Sequence, residues 1–287
     1  MVLGAALAVL AAASNAAGSV LQRRASRDRT EGSTAWRALV ELLRRPGWSA
    51  GIAAHVVGFV LQGVALGFAL ITIVQPLLVA ELPFTLILSA LVFRAPLSRR
   101  AWAAVAITAA GLSLFLFSLS PTGGHPLTTP VAVWLVGVGA STALVGVLVV
   151  LAVRSTTQRR ALFFGVATGA TYGLNAALLT WVAAAARHGW GEVFGAWQTY
   201  GVLIGGAVSF LLLQQALQAG DLIAAQPGIT LTNPVLALVW GFVVFGEHTQ
   251  LGPWLVGALL GGLGLAGGTV VLVRAALPAT VPSPATP

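Results

Sequence analysis

Charge is what this 287-residue chain lacks most. Only 8% of its residues are charged, against 57% apolar, and mean hydropathy is +0.93. A water-facing surface needs roughly a quarter of its residues charged. A soluble enzyme is therefore excluded, and so is an intrinsically disordered chain. Cysteine is absent, which removes disulfides, thiolate metal sites and cysteine nucleophiles. Lysine is absent too: the net charge of +8 comes from fifteen Arg against seven acids. In a soluble protein that excess would point to nucleic acid. In a chain this apolar it records the bias that holds cationic loops on the cytoplasmic side of a bilayer.

What is there is long apolar runs. A membrane helix needs about 20 mostly apolar residues, and nine such segments follow one another. They are Val2–Leu21, Ser49–Ala69, Ile71–Phe93, Ala101–Leu119, Pro130–Val153, Ala161–Ala186, Trp197–Ala219, Leu222–Phe245 and Pro253–Val273. The expected fold class is an all-α polytopic membrane protein of about nine transmembrane helices. The first run resembles a signal peptide, with Ala11-Ala12-Ala13 as a small-residue site, but its cations, Arg23 and Arg24, come after the apolar stretch. It reads as a retained helix.

Arginine placement then gives an orientation. Seven fall in the 22–48 segment (Arg23, Arg24, Arg27, Arg29, Arg37, Arg44 and Arg45). Arg94, Arg99, Arg100, Arg154, Arg159 and Arg160 follow in two short connections, and Arg274 in the tail. With nine spans all fourteen share one side and only Arg187 lies opposite. That predicts a multi-pass plasma-membrane protein with its N-terminus outside and its C-terminus cytoplasmic. Within 22–48, Trp36, Leu39, Val40 and Leu43 recur at helical spacing, as in an amphipathic helix lying on the membrane surface. The Pro-rich tail from Ala275 to Pro287 reads as unstructured.

A shift of 151 residues brings the chain onto itself. Phe59 falls on Phe210, Leu61 on Leu212, Ala65-Leu66 on Ala216-Leu217 and Gln75-Pro76 on Gln226-Pro227. Pro83 falls on Pro234, and Gly111-Leu112 on Gly262-Leu263, without a gap. The copies lie five helices apart, an odd number, so they cross the membrane in opposite senses. Such inverted repeats place a substrate site at their interface near the midplane. The halves are residues 1–119, with the basic segment 22–48, and 154–273. Residues 120–153 form a linking loop and helix, and 274–287 the tail. Pro76, Pro83, Pro227 and Pro234 each remove a backbone donor and are expected to break the third and eighth spans. Irregular backbone at that depth belongs beside a cavity or buried in protein.

Few strongly polar groups lie within the spans. Glu81, between Pro76 and Pro83, is the one acid placed deep in the hydrocarbon. A bare carboxylate there costs about 2.5–3.5 kcal/mol or more, so it must be protonated, paired or open to water. Gln62, on the preceding span, is the expected partner, with His55 on the same face. Glu81 is read either as a proton-coupling or cation-binding carboxylate or as a packed, protonated acid; its repeat mate is Thr232. Thr168, Tyr172 and Asn175 form a polar stripe on the sixth span, and Asn15 and Gln22 a pair on the first. Either set lines a cavity or bonds helices together. Gln214, Gln215 and Gln218 stand near the end of the seventh span. Asp221 reads as a helix cap, and His125 and His188 are too isolated for metal ligands. Gly257, Gly261, Gly264 and Gly268 make a close-packing face.

The chain resembles the drug/metabolite transporter superfamily (EamA-like) in its duplicated unit: a Phe/Leu-rich helix, a proline-interrupted helix and a Gly-bearing one. It is most similar to the nine-span NIPA-type magnesium transporters. The similar stretches are Ser14-Asn15-Ala16-Ala17-Gly18-Ser19-Val20-Leu21-Gln22-Arg23-Arg24, Gln75-Pro76-Leu77 and Ala216-Leu217. In those families an acid often follows the first-half proline helix, where this chain has Phe93-Arg94-Ala95-Pro96. The second-half equivalent is present as Gly246-Glu247. The acid that NIPA-type members share on the helix matching Ser49–Ala69 is replaced by His55 and Gln62.

The resulting expectation is a secondary transporter, not an enzyme, with no cofactor. It would carry a small metabolite or organic compound by alternating access, with proton coupling at Glu81. Gln75, Glu81, Gln226 and Asn233 would line the site, with Gln62, Tyr172 and Asn175 contributing. Its partners would be the bilayer and a small-molecule or ion substrate, with a homodimer left open and no nucleic acid. The alternatives are a NIPA-type magnesium or divalent-cation transporter and a non-transporting membrane accessory protein.

Overall fold

The computed structural model describes residues 1–27, 45–94, 96–219, 222–250 and 252–276. Its helices, in chain order, are α1 (Val2–Arg27), α2 (Pro46–Phe68), α3 (Ile71–Leu78), α4 (Glu81–Phe93), α5 (Arg99–Leu119) and α6 (Val131–Val153). They continue with α7 (Thr157–Ala186), α8 (Trp190–Gly195), α9 (Trp197–Ala219), α10 (Leu222–Val239) and α11 (Pro253–Ala276). Among the described residues nine helical stretches are long and apolar enough to cross a membrane, α3 and α4 together making one of them. The chain is an all-α polytopic membrane protein. Large apolar side chains such as Leu203, Val243 and Leu263 stand about 70% exposed on the outside of the bundle (68%, 73% and 69%). A surface so apolar is suited to lipid, not water.

The expected surface helix around Trp36–Leu43 and the Asp221 cap lie outside the described residues. So does the tail, except that Ala275 and Ala276 end α11. Residues beyond the expected spans include Arg23 and Arg24, which continue α1, and Thr157–Arg160, which begin α7. Three small elements were not anticipated: α8, a 3-10 turn at Pro126–Thr128, and an antiparallel pair of strands. The strands β1 (Thr122–Gly123) and β2 (Glu247–His248) join the connection after α5 to the one after α10. Gly246 (φ 68°) turns the chain into β2, a conformation glycine adopts without steric penalty.

The third span breaks where prolines were expected to break it. The amide of Val79 bonds back to Pro76 and that of Ala80 to Leu77, each three residues away, and α4 starts afresh at Glu81. Pro83 then occupies the first turn of α4, where a helix loses nothing for want of an N–H. The eighth span corrects the expectation. Pro227 and Pro234 do not break it: α10 runs through both. The irregularity comes later, as a π-helical turn at Trp240–Val244 closed by Phe245 N donating to Trp240 O at 3.0 Å. The reason lies in its neighbour. Gly165, Gly169 and Gly173 of α7 run parallel to α10 and lie against its backbone at Ala225, Ile229 and Asn233. A Cβ on Gly169 would stand 2.7 Å from Ile229 O, and one on Gly173 3.0 Å from Asn233 O. With no side chains between them, the backbones pack closely enough to hold a proline-bearing helix in α form. This GxxxGxxxG face escaped the sequence reading.

The two halves are packed on one plan. In the first, α1 lies antiparallel to α2 and parallel to the α3–α4 pair. In the second, α7 lies antiparallel to α9 and parallel to α10. The last helix of each half, α5 and α11, packs against the other in antiparallel register. Gly111 meets Gly261 and Gly264, Ser118 meets Gly257, and Thr108 meets Gly268. Gly111, of the repeat's matched Gly-Leu dipeptides, lies at that contact, while its mate Gly262 stands one position away from it, beside the Phe115 ring. The Gly257, Gly261, Gly264 and Gly268 face is thus a helix contact, as expected. A Cβ at Gly111 would stand 2.8 Å from Gly264 C and 2.9 Å from Gly261 O, both backbone atoms. Gly111→Leu should therefore destabilise the protein by about 3 kcal/mol, seen as a lower unfolding temperature in detergent. Ile107→Leu, on the exposed side of the same helix, serves as its control.

The helix α7 is the centre of the bundle. Other helices bury 67% of its most apolar stretch, against 17–39% for the remaining spans. An aromatic cluster closes one end of the bundle beside it. There Trp134 lies 5.1 Å from Trp240 and 5.6 Å from Phe245, and Trp240 Nε1 donates to Ser141 at 3.2 Å. That is the arginine-poor end; Arg94 at the close of α4 and the 154–156 connection lie at the other.

Candidate functional site

A cavity of about 600 Å³ lies between the halves. Gln62, Gln75, Glu81, Tyr172, Asn175, Gln226 and Asn233, the seven residues expected at a binding site, all line it. They are joined by Asn15, His55 and Thr230, and by an apolar remainder that includes Phe59, Leu78, Leu179 and Ile229. Thr168 does not reach the cavity. It is fully buried, and its hydroxyl bonds back to Phe164 O. Gln22 packs its stem against Gly51 at the arginine-rich end.

The wall has a symmetry of its own. At the shift of 151 residues, His55 pairs with Gly206, Gln62 with Leu213 and Gln75 with Gln226. Leu78 pairs with Ile229, Val79 with Thr230 and Leu82 with Asn233. Both members of all six pairs line the cavity. The last four pairs sit at i, i+3, i+4 and i+7, one face of a helix. Only Gln75 and Gln226 are identical, which is why the other five pairs were invisible in the sequence. A further likeness lies outside the 151-residue register: Asn15 of α1 fills the space that Gly58 leaves on α2, and Asn175 of α7 that of Gly205 on α9.

Glu81 stands in the first turn of α4, partly buried at the wall. Its hydrogen-bond partner is Asn15, which corrects the expectation of Gln62. Sequence neighbours were taken to pack as a hairpin, but the third span, α3 and α4 alike, lies chiefly along α1 and not α2. Tyr172 lies within electrostatic reach of the same carboxyl. Asn175 holds two helices together: with its amide turned to satisfy both groups, it donates to Val202 O and accepts from Gly206 N, each at 3.2 Å. Gln75 contrasts with it. It is 1% exposed, and neither its Nε2 nor its Oε1 has a partner in the protein. Asn233 Oδ1 is likewise buried and unpaired.

A second acid proves to be structural in its contacts. Glu247, only 5% exposed, lies at the arginine-poor end. It accepts from Ile71 N at 3.1 Å, from Thr72 N at 3.3 Å and from the Thr72 hydroxyl. Those amides open α3 and have no carbonyl of their own helix to bond, and Leu70 before them offers no side-chain cap. Burial pushes the Glu247 carboxyl above its ordinary value, while the bonds from Thr72 and Ile71 pull it the other way. Arg187 at this end donates to Gly67 O at 3.1 Å and lies over the Phe68 ring. Neither His125 nor His188 joins a metal-ligating group: among the described residues no three of His, Cys, Asp and Glu cluster.

Fold and cavity together define a helical membrane protein with a chamber of mixed amide and apolar lining at the junction of two similarly packed halves. Over 242 residues the chain is 32% identical to an uncharacterized protein of Corynebacterium glutamicum, covering 83% of this chain and 82% of that one. It belongs to the same family as that protein. No family model matches the chain, and no solved structure does.

Proposed function

We propose that the protein is a secondary transporter of the drug/metabolite type, moving a small organic compound without catalysis. The observation that carries this reading is the wall of six repeat-related pairs around one cavity. Where two inverted halves share a chamber, rocking one against the other exposes the same residues alternately to each side of the membrane. On this reading the arginine-rich end faces the cytoplasm and Glu81 carries the proton that is exchanged for the cargo. One carboxylate among amides favours an organic cargo over a magnesium ion, which wants several carboxylate or water oxygens.

Because the chain has no cysteine, single cysteines report water access directly. In inside-out vesicles, Gln226→Cys should react with a membrane-impermeant thiol reagent, and Leu263→Cys on the outer face of α11 should not. If Gln226→Cys stays unreactive from both sides of the membrane, the cavity is no solute path and an accessory role takes its place.

A further inference from the structure

The geometry points to a carboxamide-recognising subsite at Gln75, taking an uncharged ligand that carries a –CO–NH2 or ureido group on an apolar body. This rests on the transport reading for the ligand being a solute, and names its chemical class.

Three observations converge. The first is Gln75 itself. A primary amide offers two donors and an acceptor oxygen, and here both heteroatoms are unpaired in a side chain 1% exposed at the cavity wall. Leaving such a group unpaired costs about 1–3 kcal/mol, and an apolar residue of the same size would avoid it. The second is Asn233 Oδ1, an unpaired acceptor on the opposite half and the same wall. A ligand meeting both residues must donate to two oxygens and accept from one nitrogen. A carboxamide does all three. A carboxylate has no proton to donate, and an ammonium has no lone pair to accept with.

The third is charge. No arginine is among the described residues lining the cavity, and its one carboxylate is Glu81. An anion would find nothing to balance it except His55, which lies over Gly18 of α1. Glu81 already accepts a hydrogen bond from Asn15. The rest of the wall, with Phe59, Leu78, Leu179 and Ile229, suits an apolar body, and a volume of about 600 Å³ is of small-molecule size.

The test compares three ligands of one shape: benzamide, benzoate and benzylamine. Each is titrated into the purified full-length protein in detergent, with thermal unfolding as the readout. Benzamide should raise the unfolding temperature and the other two should not. Gln75→Leu should fold at least as stably as the parent, since it removes an unpaired buried amide, and should weaken the benzamide response tenfold or more. Asn233→Leu should weaken it as well. Stabilisation by benzylamine in preference would move recognition to Glu81 and overturn the inference. An equal response to benzoate, no response to benzamide, or a response that survives Gln75→Leu would overturn it too. Binding is read without a membrane or a gradient. A cavity that admits thiol reagents yet ignores benzamide therefore refutes the subsite alone and leaves transport standing.

Discussion

On the transport reading, Glu81→Gln should leave the protein folded and abolish the coupling of solute movement to a pH gradient. In proteoliposomes carrying one proton per solute, each pH unit sustains about a tenfold concentration ratio, since one unit is worth about 1.4 kcal/mol. The substituted protein should bring its solute only to equal concentrations on the two sides. Glutamine keeps the length and the acceptor oxygen that meet Asn15, so the wall survives while the exchangeable proton is gone. No other carboxylate lines the chamber among the described residues. Asn15→Ala separates the two roles: it removes the hydrogen bond and leaves the acid, so coupling should persist with an altered pH profile. Full accumulation by Glu81→Gln would take proton exchange away from this residue.

Hydropathy and arginine spacing made the nine spans legible, because crossing a bilayer imposes a length and a composition on each segment separately. The helix from Trp197 to Ala219 has the bounds the apolar run predicts. Proline chemistry was legible only in part. A missing N–H is local, but whether the helix breaks depends on what packs beside it. Pro76 and Pro83 stand by a real break, whereas Pro227 and Pro234 lie on a helix held against the bare glycine face of α7.

At the site, Gln75 and Gln226 announced themselves as a repeated dipeptide with proline, and Glu81 as an acid without company. Their meeting at one interface followed from the inverted-repeat argument, and the candidacy of Tyr172 and Asn175 from the polar stripe of the sixth span. The partner of Glu81 did not, because it depends on which helix lies across from α4, and adjacency in sequence named the wrong one. Asn15 reads in the sequence as a group that lines a cavity or bonds helices together, with no partner named for it. The pairing of Leu82 with Asn233 or Val79 with Thr230 carries no chemical signature and becomes visible only around a cavity. Glu247 was noticed as an acid of the right family position, but its work at the start of α3, 175 residues away in sequence for Thr72, leaves no trace in local pattern.

That separation gives Glu247→Ala its large effect. The substitution strips the partner from Ile71 N, Thr72 N and the Thr72 hydroxyl at once. All three lie where the protein excludes water: Ile71 and Thr72 are each 0% exposed. At roughly 1 kcal/mol or more for each buried group left unpaired, the loss is about 3 kcal/mol, read from thermal or denaturant unfolding in detergent. Glu247→Gln keeps one acceptor oxygen and should lose less than half as much. The two variants also differ from the parent in pH dependence. Burial holds the Glu247 carboxyl above its ordinary value in the folded protein, so the native state keeps this proton more tightly than the unfolded chain. Its contribution to stability is then greatest below the ordinary glutamate value, and declines as pH rises through the raised one. Glu247→Gln should remove that decline, leaving a flatter stability profile across the same window. A profile for Glu247→Gln that keeps the parent's slope would show that the acid is ionised at no cost, and that the bonds from Thr72 and Ile71 outweigh its burial.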